Sequence, residues 1–169
     1  FSCLLMSCIQ KPHIEPAIPT DIELEKRVEE TLKRMTLDEK IGQMTQISLD
    51  VLGKPGTSGD HFEFDEAKLD TAIYKYKIGS ILNVPSVGLK REKWNEIISL
   101  VQQKSMDAMG IPCIYGLDMN HGASYTQDAT YFPQNINLAA TFNRDIARKV
   151  AEITAYETRA SNTPWTFCP

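Results

Sequence analysis

The sequence predicts an α/β fold in which helices alternate with short apolar strands. Several segments place apolar residues three or four positions apart with charged residues between them, as amphipathic helices do. Most of these segments lead into a short, mostly apolar run typical of a buried strand. The 169 residues are 42% hydrophobic and 24% charged, which favours one ordinary globular domain over a disordered chain.

The first two predicted helices follow each other directly. Apolar residues at helical spacing predict an amphipathic helix over residues 22–35. Thr36 and Glu39 have the spacing of a capping box, which predicts that a second helix begins there. That helix runs into residues 41–47, a stretch with strand character at its end.

The remaining elements repeat the same two patterns. Gly110 is placed to end one helix, and Asn143 is placed to cap the last one. The predicted helices cover residues 65–77, 90–109 and 144–160, and the predicted strands cover residues 78–84, 111–117, 135–140 and 164–168.

Strands separated by helices of this length form a parallel sheet, which either closes into a barrel or stays open. No Gly-x-Gly-x-x-Gly follows a predicted strand, which disfavours an open, nucleotide-binding sheet. We therefore predict a TIM-type (β/α)8 barrel. A complete barrel needs about 250 residues, so the chain is expected to be the N-terminal part of a barrel, truncated after about four or five strands.

The first residues predict a segment of another kind, which divides the chain into residues 1–20 and 21–169. Leu5-Met6-Ser7-Cys8 resembles a bacterial lipobox, in which Cys8 would be lipidated and attach the protein to a membrane. The prolines in residues 9–20 suit a tether. This predicts an exported protein, a periplasmic or cell-envelope lipoprotein of a bacterium. The alternative is a frayed, unprocessed N-terminus.

Charge and cysteine usage exclude several function classes. The formal net charge is −4 and no basic run stands out, so we expect no nucleic-acid partner. The cysteines at positions 3, 8, 113 and 168 lack the spacing of a zinc site, and we expect neither a metal nor a cofactor. Cys113 and Cys168 lie in candidate inner strands, either as small hydrophobic side chains or joined by a disulfide.

The candidate site residues lie where a predicted strand ends. Asp118 follows the strand at 111–117, at the edge where parallel α/β folds bind ligands. It is predicted either to accept hydrogen bonds from adjacent sugar hydroxyls or to cap its own loop. His121 either supports this site or bonds a backbone carbonyl. Arg159 either pairs with a carboxylate at the barrel mouth or is an exposed helix-end residue.

Several ordered motifs resemble glycoside hydrolase family 3, in particular its β-glucosidase and exo-glucanase branch. The Asp-x-x-His-Gly form is similar to that branch rather than to the N-acetylglucosaminidase branch. The motifs, which span roughly residues 21–169, are Arg34-Met35-Thr36-Leu37-Asp38-Glu39-Lys40-Ile41-Gly42-Gln43-Met44-Thr45-Gln46, Gly116-Leu117-Asp118 through His121-Gly122, Phe132-Pro133-Gln134-Asn135, and Glu157-Thr158-Arg159-Ala160 leading to Phe167-Cys168-Pro169.

The resemblance implies a retaining exo-acting hydrolase of β-linked glucosides or β-glucans, with Asp118 as the aspartate that holds hydroxyls of the terminal sugar. It also implies that the nucleophile and the acid/base lie beyond Pro169, so that no catalytic residue lies in this chain and the isolated fragment is inactive. Asp38, Asp50, Asp128 and Glu157 are assigned to solvation or capping. The alternative function is a non-catalytic carbohydrate-binding or scaffold protein of the cell envelope.

Overall fold

The computed structural model describes residues 19–168, which fall into two units divided after Met35. The predicted lipobox with Cys8 lies outside the described residues. In the first unit, helix α1 spans Ile22–Arg34, as the apolar spacing predicts. The Asp21 side chain caps it by accepting hydrogen bonds from the backbone N–H groups of Glu23 and Leu24, and none of its residues is buried.

The second unit begins with the capping box that the sequence predicts. The Thr36 hydroxyl accepts a hydrogen bond from the Glu39 backbone N–H at 3.3 Å, and the Glu39 carboxylate accepts one from the Thr36 N–H at 2.8 Å. Helix α2 follows over Leu37–Gln43 and leads directly into strand β1, Gln46–Ser48. The predicted transition from helix to strand within residues 41–47 is confirmed.

Four parallel strands form one sheet, in the order of the chain. The predicted α/β class is therefore confirmed, with a helix before each strand from β2 onwards. The strands after β1 are β2 (Ser80–Leu82), β3 (Ile114–Leu117) and β4 (Trp165–Thr166), and the helices after α2 are α3 (Glu66–Asp70, continued by a π-helical turn over Thr71–Lys75), α4 (Arg91–Met109), α5 (Asn135–Ala139) and α6 (Arg144–Ala160).

The prediction of a strand over residues 135–140 is wrong. This segment forms the short helix α5, with a hydrogen bond from the Ala140 N–H to the Ile136 carbonyl at 3.1 Å. Its apolar residues alternate as in a strand, but a run this short does not distinguish the two periods. Ala139 and Ala140 are good helix formers, which favours a helical turn over a strand.

The two faces of the sheet have different environments. Side chains alternate along a strand, so Tyr115 and Leu117 of β3 point to one face, and Ile114 and Gly116 point to the other. On the first face Tyr115 is fully buried and packs edge-on against Trp94 of α4, with ring centroids 5.7 Å apart. We call this the helix-covered face. On the other face, here called the open face, Ile114 is 51% exposed.

The two described cysteines are both free. Cys113 is buried, and burial raises the pKa of its thiol to about 12. Cys168 is exposed. The disulfide considered for this pair is therefore not formed. Among residues 19–168, no helix combines the length and apolar character that crossing a bilayer requires.

Candidate functional site

Asp118 directly follows β3 and lies on the open face of the sheet. Strand alternation puts its side chain on the same face as Ile114 and Gly116, and the residue is exposed. No other residue of the range 19–168 donates a hydrogen bond to its carboxylate, so the loop-capping alternative has no support in the structure. Asp118 is placed at the C-terminal edge of a parallel sheet, where such folds bind ligands.

The loop after Asp118 returns to lie beside it. Gly122 forms an antiparallel bridge with Tyr131, and the Phe132 N–H donates to the His121 carbonyl at 2.8 Å. Gly122 has φ +107°, and a Cβ there would overlap the Thr130 carbonyl oxygen. Glycine at this position therefore permits the close return of the loop.

His121 closes the same loop with its side chain. Its Nδ1 lies 2.9 Å from the Phe132 carbonyl oxygen, so this nitrogen carries the proton and donates. Its Nε2 is then an acceptor, and the Gln134 amide N–H donates to it at 3.2 Å. The ring also meets the Tyr131 ring edge-on, with centroids 4.7 Å apart. The carbonyl-bonding alternative for His121 is the arrangement observed, and it fixes the side chains that line the site.

An open depression of about 520 Å³ lies beside Asp118. The Asn120 amide oxygen is buried, and none of the described residues donates to it. Sequence reasoning missed Gln134 and Tyr131, although Gln134 belongs to the Phe-Pro-Gln-Asn motif quoted above. The depression is lined by Asp118, Asn120, His121, Ser124, Tyr125, Tyr131 and Gln134.

Arg159 is not part of this depression. It lies exposed in the last turn of α6 and makes no ion pair with another residue of the described range, which matches the helix-end alternative. Two residues earlier, the Glu157 carboxylate accepts hydrogen bonds from the Thr130 N–H at 2.9 Å and the Thr130 hydroxyl at 2.8 Å. Glu157 thus ties the loop to α6, the kind of capping role expected for it.

The other carboxylates considered from the sequence do not line this depression. Asp38 lies in the first turn of α2, where its charge favours the helix dipole. Asp50 accepts a hydrogen bond from the Ser48 hydroxyl at 3.1 Å. Asp128 is exposed in the loop, at φ +63°. Asp118 therefore differs from all three in facing the depression without a partner among the described residues.

Comparison with known proteins assigns this arrangement to a family. The family model described as "Glycosyl hydrolase family 3 N terminal domain" matches residues 36–169, most of the chain. The chain belongs to glycoside hydrolase family 3. The matched region contains β1 to β4, Asp118 and the loop that lines the depression.

Two curated relatives of this family 3 chain carry related names. The lysosomal beta glucosidase of Dictyostelium discoideum is 38% identical over 152 residues, which cover 84% of this chain and 18% of that protein. The periplasmic beta-glucosidase of Salmonella typhimurium is 28% identical over 142 residues, which cover 84% of this chain and 16% of that protein. The chain thus spans less than a fifth of the length of either relative.

A solved structure shows the same fold. The family 3 beta-N-acetylglucosaminidase from Paenibacillus sp. str. FPU-7 superposes with a TM-score of 0.64 at 20% sequence identity, covering 80% of this chain and 24% of that one. At this identity the match concerns the fold. It confirms that the parallel α/β arrangement is that of the N-terminal domain of this glycosidase family.

Proposed function

We propose that the protein containing this chain is a retaining, exo-acting β-glucosidase that releases terminal glucose from β-glucosides or β-glucans. The carrying observation is the Asp118 carboxylate, exposed without a partner among the described residues at the ligand-binding edge of a family 3 sheet. The names of the two curated relatives support β-glucosidase over other glycosidase activities.

The role proposed for Asp118 is to hold the sugar, not to break the bond. An ionised carboxylate has two oxygens that accept hydrogen bonds from adjacent hydroxyls, and such charge-assisted bonds are strong and directional. Hydroxyl contacts of this kind contribute to catalysis when they tighten in the oxocarbenium-like transition state. The side chains of Gln134 and Tyr131, fixed through His121, supply further polar groups beside the same depression.

The catalytic pair is proposed to lie outside this chain. A retaining glycosidase needs two carboxyl groups about 5–5.5 Å apart, one as nucleophile and one as acid and base. Asp50 and Glu157 accept hydrogen bonds from neighbouring side chains or backbone, and Asp38 belongs to a helix turn. In the complete protein we expect this chain to form one wall of the glucose pocket. The isolated chain is expected to be inactive.

Export and lipidation are also proposals. The curated relatives are named as lysosomal and periplasmic enzymes, which is consistent with a protein that leaves the cytosol. Attachment to a bacterial envelope membrane would depend on a lipid at Cys8. Metabolic labelling with a radioactive fatty acid, compared between the natural sequence and Cys8→Ala, measures this directly.

Hydrolysis of p-nitrophenyl β-glucoside tests the proposed activity. The complete gene product that includes this sequence and the 169-residue chain are purified and assayed side by side, with p-nitrophenyl N-acetyl-β-glucosaminide as the competing substrate. We expect that only the complete protein hydrolyses a substrate and that it prefers the glucoside. Preference for the N-acetylated substrate would overturn the specificity. Sugar binding without hydrolysis of either substrate would favour the carbohydrate-binding alternative.

A further inference from the structure

An exposed tyrosine stands on the loop that returns to Asp118. Tyr131 is 69% exposed and lines the same depression as Asp118. The other tyrosine of that lining, Tyr125, is half-buried and packs against the hydrophobic core. Tyr131 therefore presents a large aromatic surface to the depression, and a ligand with an apolar face gains contact area by covering it.

The backbone around Tyr131 is fixed by the loop reversal. Tyr131 forms an antiparallel bridge with Gly122, and the N–H of the next residue, Phe132, donates to the His121 carbonyl at 2.8 Å. The two segments come this close because Gly122 has no side chain, since a Cβ there would overlap the Thr130 carbonyl oxygen. The direction in which the Tyr131 side chain leaves the loop is thus set by two paired segments.

The ring of Tyr131 is fixed as well, but it is not covered. It meets the His121 ring at an interplanar angle of 83°, with centroids 4.7 Å apart. His121 is itself held by hydrogen bonds to Phe132 and Gln134. Because the two rings are perpendicular, His121 contacts either the edge or one face of Tyr131 and leaves at least one face free of this contact. A ring ordered before binding loses little conformational entropy when a ligand covers it.

The depression extends from the sheet edge to this ring. Asp118 directly follows β3, whereas Tyr131 lies on the loop beyond it. The volume of about 520 Å³ is within the range of pockets that hold ligands larger than a single hexose. An exo-acting enzyme binds the terminal sugar innermost, and the rest of the substrate leads outward. With the hydroxyls of the terminal sugar on Asp118, the following sugar unit passes along the loop.

We propose that Tyr131 is an aromatic platform for the second sugar unit, on the leaving-group side of the scissile bond. This rests on the proposed β-glucosidase function and adds a specificity-determining residue to it. The ring substituents of a β-linked glucose unit are equatorial, so its two faces carry C–H groups, which an aromatic ring covers. Asp118 binds the terminal glucose of every substrate, whereas Tyr131 contacts only substrates that have a second sugar. The platform therefore gives the enzyme a preference for β-glucans over glucosides with a small leaving group.

Tyr131→Leu in the complete protein tests this, because leucine keeps an apolar side chain and removes the flat ring. The substrates compared are methyl β-glucoside, whose leaving group is not a sugar, and cellobiose or laminaribiose, whichever disaccharide the wild type hydrolyses faster. We expect kcat/KM for the disaccharide to fall about tenfold, and kcat/KM for the methyl glucoside to change less than about twofold. If methyl β-glucoside is hydrolysed too slowly, its inhibition constant against p-nitrophenyl β-glucoside is measured instead.

Two further variants are the matched controls. Tyr131→Phe keeps the ring and its contact with His121, so the ratio of the two kcat/KM values should equal that of the wild type. Tyr156→Leu makes the same substitution at another tyrosine, which is 77% exposed on α6 and does not line this depression. It should leave the ratio unchanged.

The outcomes separate this inference from the proposed function. A wild type that hydrolyses no β-glucoside refutes the proposed function itself. A wild type that hydrolyses β-glucosides but neither disaccharide refutes the platform. Equal losses on both substrates in Tyr131→Leu also refute it, because a residue that only shapes the loop lowers both rates alike. If Tyr131→Leu loses its thermal transition, Tyr131→Val is measured in its place, since a β-branched residue suits the bridge with Gly122.

Discussion

The two faces of strand β3 differ: one packs against a helix and the other carries the candidate site. On β3, Tyr115 and Leu117 face α4 and are almost completely excluded from solvent, at 0% and 1% exposure. Their immediate neighbours Ile114 and Asp118 face the other way and are exposed. Because the side-chain period of a strand is two, adjacent residues in the sequence serve packing and chemistry independently.

The helix-covered face is dry and the open face is not. On the covered side, the Tyr115 hydroxyl must find a partner, and it donates to the Asn83 carbonyl at 2.6 Å. Burial, together with the nearby Asp50 charge, holds the pKa of Tyr115 well above its usual range. Substitutions on this face should therefore change stability, and substitutions on the open face should change activity. Four predictions test that division.

Trp94→Ala is expected to have the largest effect. Trp94 is fully buried against Tyr115, and its indole N–H donates to the Tyr125 carbonyl at 2.9 Å. Removing it leaves a large cavity and takes one of two hydrogen bonds from the Tyr125 carbonyl, which also accepts from the Leu89 N–H at 3.0 Å. The free energy of unfolding should therefore fall by about 3–5 kcal/mol. Denaturant-induced unfolding measures this. A loss below about 1 kcal/mol would show that the covered face is not the structural core.

Asp118→Asn is expected to lower activity and to leave stability unchanged. The amide replaces one acceptor oxygen by a donor and removes the charge, so kcat/KM for a β-glucoside should fall roughly a hundredfold. The melting temperature should stay unchanged, because the carboxylate has no hydrogen-bond donor among the described residues. Steady-state kinetics and thermal unfolding are measured on the same preparation of the complete protein, because the isolated chain is expected to be inactive.

Asp128→Asn is the matched control for that measurement. Asp128 is an exposed carboxylate of the same loop with φ +63°, a conformation that asparagine adopts readily. Its kinetics should equal those of the wild type. A loss at Asp118 of less than threefold, or an equal loss at Asp128, would contradict the assignment of sugar binding to Asp118.

The Cys113 thiol reports on the dryness of the covered face through pH. Its pKa is raised to about 12 in the folded protein by burial, so the folded state keeps a proton that the unfolded chain loses above its ordinary pKa of 9.0. Its stabilising contribution is complete below pH 9 and is lost as the pH rises toward 12. Between pH 9 and 10.5 this loss should lower the free energy of unfolding by roughly 2 kcal/mol.

Cys113→Val isolates this contribution except for a change at Tyr115, whose raised pKa is due in part to the charge of Cys113. The stability difference between wild type and variant is measured by denaturant unfolding at several pH values. It should shift in favour of the variant as the pH rises. A difference independent of pH would mean that water reaches the thiol and that the covered face is not dry at β3.

Most of the fold was predictable because its signals are local. The Thr36 and Glu39 capping box, the Gly110 helix end and the Asn143 cap each depend on residues a few positions apart. The strand predicted over residues 135–140 is wrong because so short a run fits both the helical and the strand period. Local patterns therefore gave the right class with one element mistaken.

The site was predictable only in part because its contacts are between distant residues. The position of Asp118 after an apolar run predicted its place at the sheet edge. The pairing of His121 with Phe132 and Gln134 depends on the loop reversal at Gly122, and no local pattern specifies it. The register of β4 on β3 likewise brings together residues that are far apart in the chain, and the sequence alone does not give it.

Glu157→Ala tests how far the loop depends on its tie to α6, and is expected to have the smallest effect. The carboxylate accepts two hydrogen bonds from Thr130, but Thr130 is exposed and water replaces much of what is lost. The free energy of unfolding should fall by about 1 kcal/mol. Because the His121 contacts hold Tyr131 and Gln134 separately, kcat/KM should change less than threefold.

Glu152→Ala is the matched control on the same helix. Among the described residues Glu152 pairs with the exposed Lys149 alone, at 3.4 Å, and a surface pair of this kind contributes about 0.5 kcal/mol or less. Equal losses at Glu157 and Glu152 would show that the hydrogen bonds of Glu157 to Thr130 contribute little to holding the loop. A tenfold loss of activity at Glu157 would show instead that α6 positions the residues beside Asp118, and the open face would then depend on packing as the covered face does.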